Sequence, residues 1–290
     1  MVKKLELFLL VLLSASFSAC GQIETKIEVV DEQGEAIEGA DVKFRYVDFK
    51  GEESEVIQTD GNGYATSSGN PELRIHVYVD KEGYYQSLTG PLAKGEDHSL
   101  TVTLKKKLSP ISLFARKIKI ISPEPGRKLG FDFERADWVE PFGEGRSTDV
   151  FFKIEYEERA RKDYDYKLSV SFPNEHDGIQ EFFDSRLSQL HAAHSAPQKN
   201  YQATWTQEFQ RRPDEGSSGN RDPLRNYWLR VRTEVDGKGE IISANYVKIY
   251  GDFPEITYYF NPAKNDFNLE FNPKANLFTD LSRREVVTQP

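Results

Sequence analysis

Apolar residues recur at every second position in short runs, and each run is closed by Gly, Pro, Asn or Asp. Val42, Phe44 and Tyr46 alternate with Lys43 and Arg45. Leu73, Ile75, Val77 and Val79 repeat the pattern, as do Leu100, Val102 and Leu104 against Thr101, Thr103 and Lys105. Side chains change face at each step along a strand, so a period of two buries one face and wets the other. Few apolar residues recur at three- and four-residue spacing, which argues against helices. The chain is therefore expected to be all-β.

The same signature continues through the second half. Val150 to Glu157, Tyr166 to Phe172, Tyr201 to Phe209, Asn226 to Val235, Glu240 to Tyr250 and Ile256 to Phe260 read as strands. Asp236-Gly237 between two of them is a hairpin turn whose backbone matches strand twist. Long loops are expected at Pro173–Gly178 and Arg211–Pro223, and a short helix over Asp184 to Ala193. The chain of 290 residues exceeds the size of one ordinary domain. Two antiparallel β-sandwiches in tandem are the expected architecture: residues 22–107, then a linker at 108–125 carrying a short strand from Ala115 to Ile121, then 126–290.

The first twenty residues have another purpose. Lys3 and Lys4 precede an apolar run from Leu7 to Leu13, followed by small residues and the only cysteine, Cys20. That run is too short to span a bilayer, which takes about 20 apolar residues as a helix, and it reads as an export signal over residues 1–19. Phe17-Ser18-Ala19-Cys20 resembles the lipobox of bacterial lipoproteins, with Phe17 where leucine is usual. The resemblance implies a diacylglycerol thioether on Cys20 and a lipid-anchored envelope protein; an ordinary secretory cut after Ser16 or Ser18 is the alternative. Lipidation would also consume an otherwise unpaired thiol, and two or three acyl chains suffice for stable anchoring. Gly21, where an Asp would resemble an inner-membrane retention signal, favours the outer membrane.

Val30-Asp31, Gly34, Ile37, Gly39-Ala40, Val42, Thr59-Asp60, Gly61-Asn62-Gly63-Tyr64 and Gly83-Tyr84 resemble a carboxypeptidase regulatory-like domain. The resemblance implies a transthyretin-like sandwich, non-catalytic, over residues 22–107. Gly39-Ala40 would let the chain enter a strand without crowding the opposite sheet, and Tyr84 would lie over the sandwich end. In the second region, Asp137-Trp138-Val139 with Pro141, Gly143 and Gly145, Tyr246 to Asp252, and Asn261-Pro262 through Asn268 to Phe271 resemble uncharacterised bacterial envelope proteins carrying such a region after a regulatory-like domain. That resemblance implies no activity.

Charge and motifs narrow the function. The net charge of −9, about −10 once Lys3, Lys4 and Glu6 are removed, opposes nucleic-acid binding. Asp60 and Asn62 have the spacing that opens a calcium loop, but the twelfth position, where a bidentate carboxylate is needed, is Pro71. His191 and His194 with His176 and Glu175 lack the His-Glu-x-x-His form of a zinc hydrolase. No cofactor or metal is expected. Glu155, Glu157, Glu158, Asp132, Glu134 and Asp137 supply carboxylates for a glycan hydrolase, which needs two of them flanking a sugar; this is the enzymatic alternative to a binding or structural role. For binding, Trp138, Trp205 and Trp228 are the candidate residues, since rigid rings stack on sugars or anchor protein partners. In Tyr227-Trp228 and Tyr258-Tyr259 one ring of each pair must leave the core unless the sheet is covered twice. The implied partners are the membrane, through Cys20, and an envelope polysaccharide or protein.

Overall fold

The computed structural model describes residues 22–184 and 187–290; the export signal and Cys20 lie outside the described residues. Every regular element among the described residues is a strand, and no described helix is long and apolar enough to cross a membrane. The chain is all-β, built of antiparallel sheets packed as sandwiches. By its internal contacts it separates into two compact units, residues 22–79 with 88–102, and 80–87 with 103–290. Residues 80–87 and 103–107 thus cluster with the second unit.

The first unit is built from β1 (Ile23–Val30), β2 (Asp41–Asp48), β3 (Gly51–Gln58), β4 (Tyr64–Gly69), β5 (Arg74–Asp80), β6 (Ser87–Leu92) and β7 (His98–Thr103). They form two sheets, ordered β4-β1-β7 and β3-β2-β5-β6. Alternate residues are buried, among them Ile27, Val29, Val42, Phe44, Ile75, Val77 and Val79. β3 carries no such alternation, because its residues are nearly all exposed at the sheet edge.

Two turns of this unit and one of the second share one construction. Asp31 Oδ1 accepts the Gln33 and Glu35 amides, Asp60 Oδ1 those of Asn62 and Tyr64, and Asp236 Oδ1 those of Lys238 and Glu240. In each, the fourth residue is a glycine at φ of +85°, +79° or +83° (Gly34, Gly63, Gly239), a conformation that costs other residues a steric penalty. Asp60 is therefore a turn cap. Gly39 at φ +65° is likewise required by its backbone rather than by crowding alone.

The second unit contains β8 (Phe114–Lys119), β9 (Lys128–Asp132), β10 (Asp137–Trp138), β11 (Val150–Ala160), β12 (Asp163–Ser171), β13 (Gly178–Phe183), β14 (Thr204–Arg212), β15 (Gly216–Gly219), β16 (Arg225–Val235), β17 (Ile241–Tyr250) and β18 (Glu255–Asn261). One sheet runs β10-β9-β11-β12-β14-β15 and the other β13-β16-β17-β18-β8. Phe131, Phe152, Leu168, Val170 and Trp205 of the first meet Tyr227, Leu229, Val247, Ile249, Tyr258 and Phe260 of the second. The five-stranded sheet is buried on its other face too. Leu113, Ala115, Trp228, Tyr246, Tyr250 and Tyr259 pack there against Ala192, Ala196, Leu269, Phe271 and Val287 from irregular segments. This double cover resolves the adjacent rings of Tyr227-Trp228 and Tyr258-Tyr259: each residue has its own core.

Three expectations change. Residues 187–193 form no helix; Leu190 and Ala192 are buried alternately with more exposed neighbours. The carbonyls of Leu190, His191 and Ala192 accept Lys105 Nζ at 2.9, 3.3 and 3.1 Å instead of helical amides. The loop at 211–223 contains β15, which pairs with β14 from Phe209↔Gly219 to Arg212↔Gly216. The ring that is buried after Gly83 is Tyr85, 4% exposed, whose hydroxyl donates to Glu270 at 2.7 Å; Tyr84 is half-buried.

Candidate ligand-binding cleft

Trp138 owes its position to the turn after β10. Ala136 enters it at φ +56° and the Glu140–Pro141 bond is cis. Asp137 accepts the Trp138 amide through Oδ1 and the Glu144 amide through Oδ2, both at 2.8 Å. Gly143 and Gly145 let the returning chain pass: a Cβ on Gly143 would lie 2.5 Å from the Trp138 carbonyl oxygen, and one on Gly145 2.9 Å from that of Asp137. The indole meets Phe131 and Phe152 edge-on, at 5.5 and 6.1 Å between centroids. Half-buried, it stands on the rim of the core.

It also lines a cleft of about 970 Å³ beside β8, the edge strand of the five-stranded sheet. Ile118, Ile120, Ile256 and Phe131 share the inner side with Trp138, whereas Lys117, Thr257 and Tyr250 belong to the sheet's other face, so the cleft passes around the strand edge. The edge itself is partly occupied: the Lys117 amide donates to the Glu285 carbonyl at 2.9 Å, and Asn276 brackets Ala115. Two lysines on an edge strand also discourage further strand pairing.

The charges of the cleft are mostly spent on one another. Lys119 pairs with Glu255 at 2.8 Å, Arg116 pairs with Glu285, and Asp137 is committed to backbone amides. Hydrogen bonds from Arg116 and then Ser282 hold the Glu285 carboxyl down at about 2. Lys119 holds that of Glu255 below its ordinary value.

Trp205 and Trp228 do not join Trp138. Trp205 is 8% exposed, edge-on to Tyr227 at 5.1 Å, with its indole N–H donating to Glu181. Trp228 is 5% exposed and stacks on Phe182 at 4.9 Å in the second core. Both are packing residues, and neither offers a ring face to a ligand.

The other sequence candidates are dispersed. His194 Nε2 meets the Lys106 carbonyl at 2.7 Å, His191 lies against Tyr250 and His176 beside Glu175. Among the described residues no three His, Cys, Asp or Glu side chains converge as a metal site. Glu155 pairs with Lys153 and Glu157 with Arg159. Asp132 and Glu134 instead surround Arg232, together with Asp149.

That cluster had no sequence signal. A bulge between Val231 and Glu234 puts Arg232 at φ +55° and turns its guanidinium inward over the Phe260 ring. Its Nε donates to Asp149 Oδ1 at 2.6 Å and its Nη1 to Glu134 at 2.8 Å. Asp149 is fully buried; burial raises its carboxyl to about 6 although Arg232 and the Phe133 amide oppose the shift. The cluster joins the two sheets across the core and does not line the cleft.

No family model and no curated protein matches the chain. Among solved structures, a "putative carbohydrate binding protein" from Bacteroides uniformis is 9% identical, with 85% of this chain and 99% of that one covered at a TM-score of 0.24. The Bacillus anthracis TIE protein is 12% identical, over 85% of this chain and 49% of its own, at a TM-score of 0.24. A DUF3823-family protein from Parabacteroides merdae is 8% identical, over 82% and 96%, at a TM-score of 0.23. At these values the likeness transfers neither fold nor activity.

Proposed function

We propose that this chain is a lipid-anchored protein of the bacterial cell envelope, tethered through Cys20 and binding an envelope polysaccharide without transforming it. Trp138 carries the reading for the cleft. Its ring is anchored by Phe131 and Phe152 and also forms part of the cleft wall. A ring fixed before binding loses little entropy on contact, which favours stacking.

Catalysis is disfavoured by the carboxylates available there. A glycosidase acid must hold its proton near neutrality, whereas Glu285 is pulled down to about 2 and Glu255 is lowered by its lysine. Asp149, whose carboxyl is raised, is enclosed with Arg232 and does not line the cleft. The anchor rests on the signal and on Phe17-Ser18-Ala19-Cys20.

Two measurements test the proposal. Mass spectrometry of the native protein should find a diacylglycerol-modified Cys20 at the mature N-terminus; an unmodified N-terminus elsewhere would remove the anchor. Retardation of the soluble chain in gels containing envelope polysaccharides should be lost on Trp138→Ala with the polysaccharide recovered intact. Shortened polysaccharide would instead establish a hydrolase.

A further inference from the structure

The six-stranded sheet of the second unit is longer than its core. Along β11 the side chains facing the other sheet are Val150, Phe152 and Ile154, all buried, and then Tyr156, which is 51% exposed. Register places Tyr156 opposite Tyr166 and Tyr166 opposite Phe209, so these three share one face; Glu158, Tyr164 and Arg211 form the next row on that face. The face that is core at Ile154 and Leu168 therefore continues outward as an aromatic shelf.

Its rings follow one another. Tyr156 and Tyr164 have centroids 5.5 Å apart and Tyr164 and Phe209 5.9 Å apart, with interplanar angles of 44° and 33°. Tyr164 and Phe209 are half-buried, held from beneath by the sheet. Three rings run in sequence along it, with Tyr166 on its inner side. Hydrogen-bonding groups run beside it: Arg211 Nη1 donates to Ser217 at 3.1 Å, and Glu158 stands across Tyr164 from Arg211. On the inner side, the Tyr166 hydroxyl and both amide atoms of the fully buried Gln207 have no hydrogen-bond partner among the described residues. Buried polar groups are seldom left so.

We infer that this shelf is a second binding site, separate from the cleft at Trp138, and that it takes a neutral, linear glycan with equatorially linked pyranose rings. The spacing of Tyr156, Tyr164 and Phe209 lets consecutive sugars lie on consecutive rings. An equatorially linked chain is a flat ribbon whose axial C–H faces meet aromatic rings, and its hydroxyls project sideways toward Glu158, Arg211 and Ser217. Charge selects the neutral class. Glu158 and Arg211 offset one another within the shelf, while the chain as a whole carries −9 and repels polyanions. A protein partner would need a wide desolvated patch, and this shelf is a narrow strip with a polar border.

The test is calorimetric titration of the full soluble chain and its Trp138→Ala form with cello-, xylo- and manno-hexaose, and with a β-1,4-linked oligoglucuronate, equatorially linked like them, as the charged control. Binding of at least one neutral hexaose is expected in both forms. Tyr156→Ala with Phe209→Ala should weaken it about tenfold or more while leaving the far-ultraviolet spectrum and melting temperature unchanged. Tyr156→Ser alone, at an exposed position, should shift affinity in the same direction. Loss of binding in Trp138→Ala with none in the shelf variant would leave the cleft standing and overturn the shelf. No binding of any neutral hexaose, or equal binding of the oligoglucuronate, would overturn it as well.

Discussion

Replacing Arg232 by Met should reveal how the second unit balances its buried charge. Arg232 is the cation among Asp132, Glu134 and Asp149, and the Asp132 and Asp149 carboxylates are 2% and 0% exposed. Methionine keeps most of the stem that lies over Phe260 and removes the guanidinium. Breaking a buried pair on one side leaves an uncompensated charge, so stability at about pH 7.5 should fall by about 3–5 kcal/mol. The sign of the pH dependence follows from Asp149, whose carboxyl is already raised to about 6 in the native fold. A carboxyl raised by folding contributes stability below its unfolded value, lost as pH rises through the folded value. Without Arg232 the folded value moves higher, so acid relieves the variant more than the wild type. The deficit should shrink by on the order of 1–2 kcal/mol between about pH 7.5 and pH 5. Trp138, Trp205 and Trp228 are the three tryptophans of the chain and all lie in the second unit, so indole fluorescence in urea follows this unit alone. A deficit below about 1 kcal/mol at the higher pH, or one that does not change with pH, would refute a cluster held by charge balance. Adding Asp149→Asn should remove most of the variant's extra pH dependence.

Three further outcomes follow from the same structure. Lys248 is fully buried, donates to the Leu269 carbonyl at 2.7 Å and lies over the Tyr259 and Tyr250 rings near Glu270 and Lys105; burial lowers its pKa strongly. The native fold then binds fewer protons than the unfolded chain, so wild type should gain on Lys248→Met as pH rises toward the ordinary lysine range, by no more than about 1.4 kcal/mol per pH unit, and a flat difference in urea melts would refute this. Trp228→Ala should cost about 3–5 kcal/mol, seen as a large fall in melting temperature; an unchanged melt would contradict the second core. Gly39→Val should destabilise the first unit by about 1–3 kcal/mol and Gly39→Asn by less, by far-ultraviolet circular dichroism, and equal costs would point to crowding instead of φ.

Strand content was legible because alternation is a local property. The expected Asn226 to Val235 and Ile256 to Phe260 differ by a single residue at one or both ends from the observed Arg225–Val235 and Glu255–Asn261. Strands without alternation were not legible: β3 is exposed throughout, and β15 is four exposed residues paired to β14 on one side only. The segment at 187–193 is irregular instead of helical because Lys105 takes three of its carbonyls and Ala192 is drawn into the second core, contacts that are remote in the chain.

The candidate site divides in the same way. The sequence by itself determined that the second unit would be rich in strand-borne aromatics, because alternation acts within a few residues. Which rings would be free was decided only by tertiary structure. Trp228 is internal because Leu269, Phe271 and Val287, remote in the chain, cover the outer face of its sheet. Trp138 lines a cleft because β10 ends one sheet where β8 ends the other. Tyr156 is exposed, although it continues the Phe152 and Ile154 alternation, because its sheet extends past the core. Alternation specifies which side chains share a face, whereas burial depends on what other part of the chain reaches that face, and that is a long-range outcome of packing.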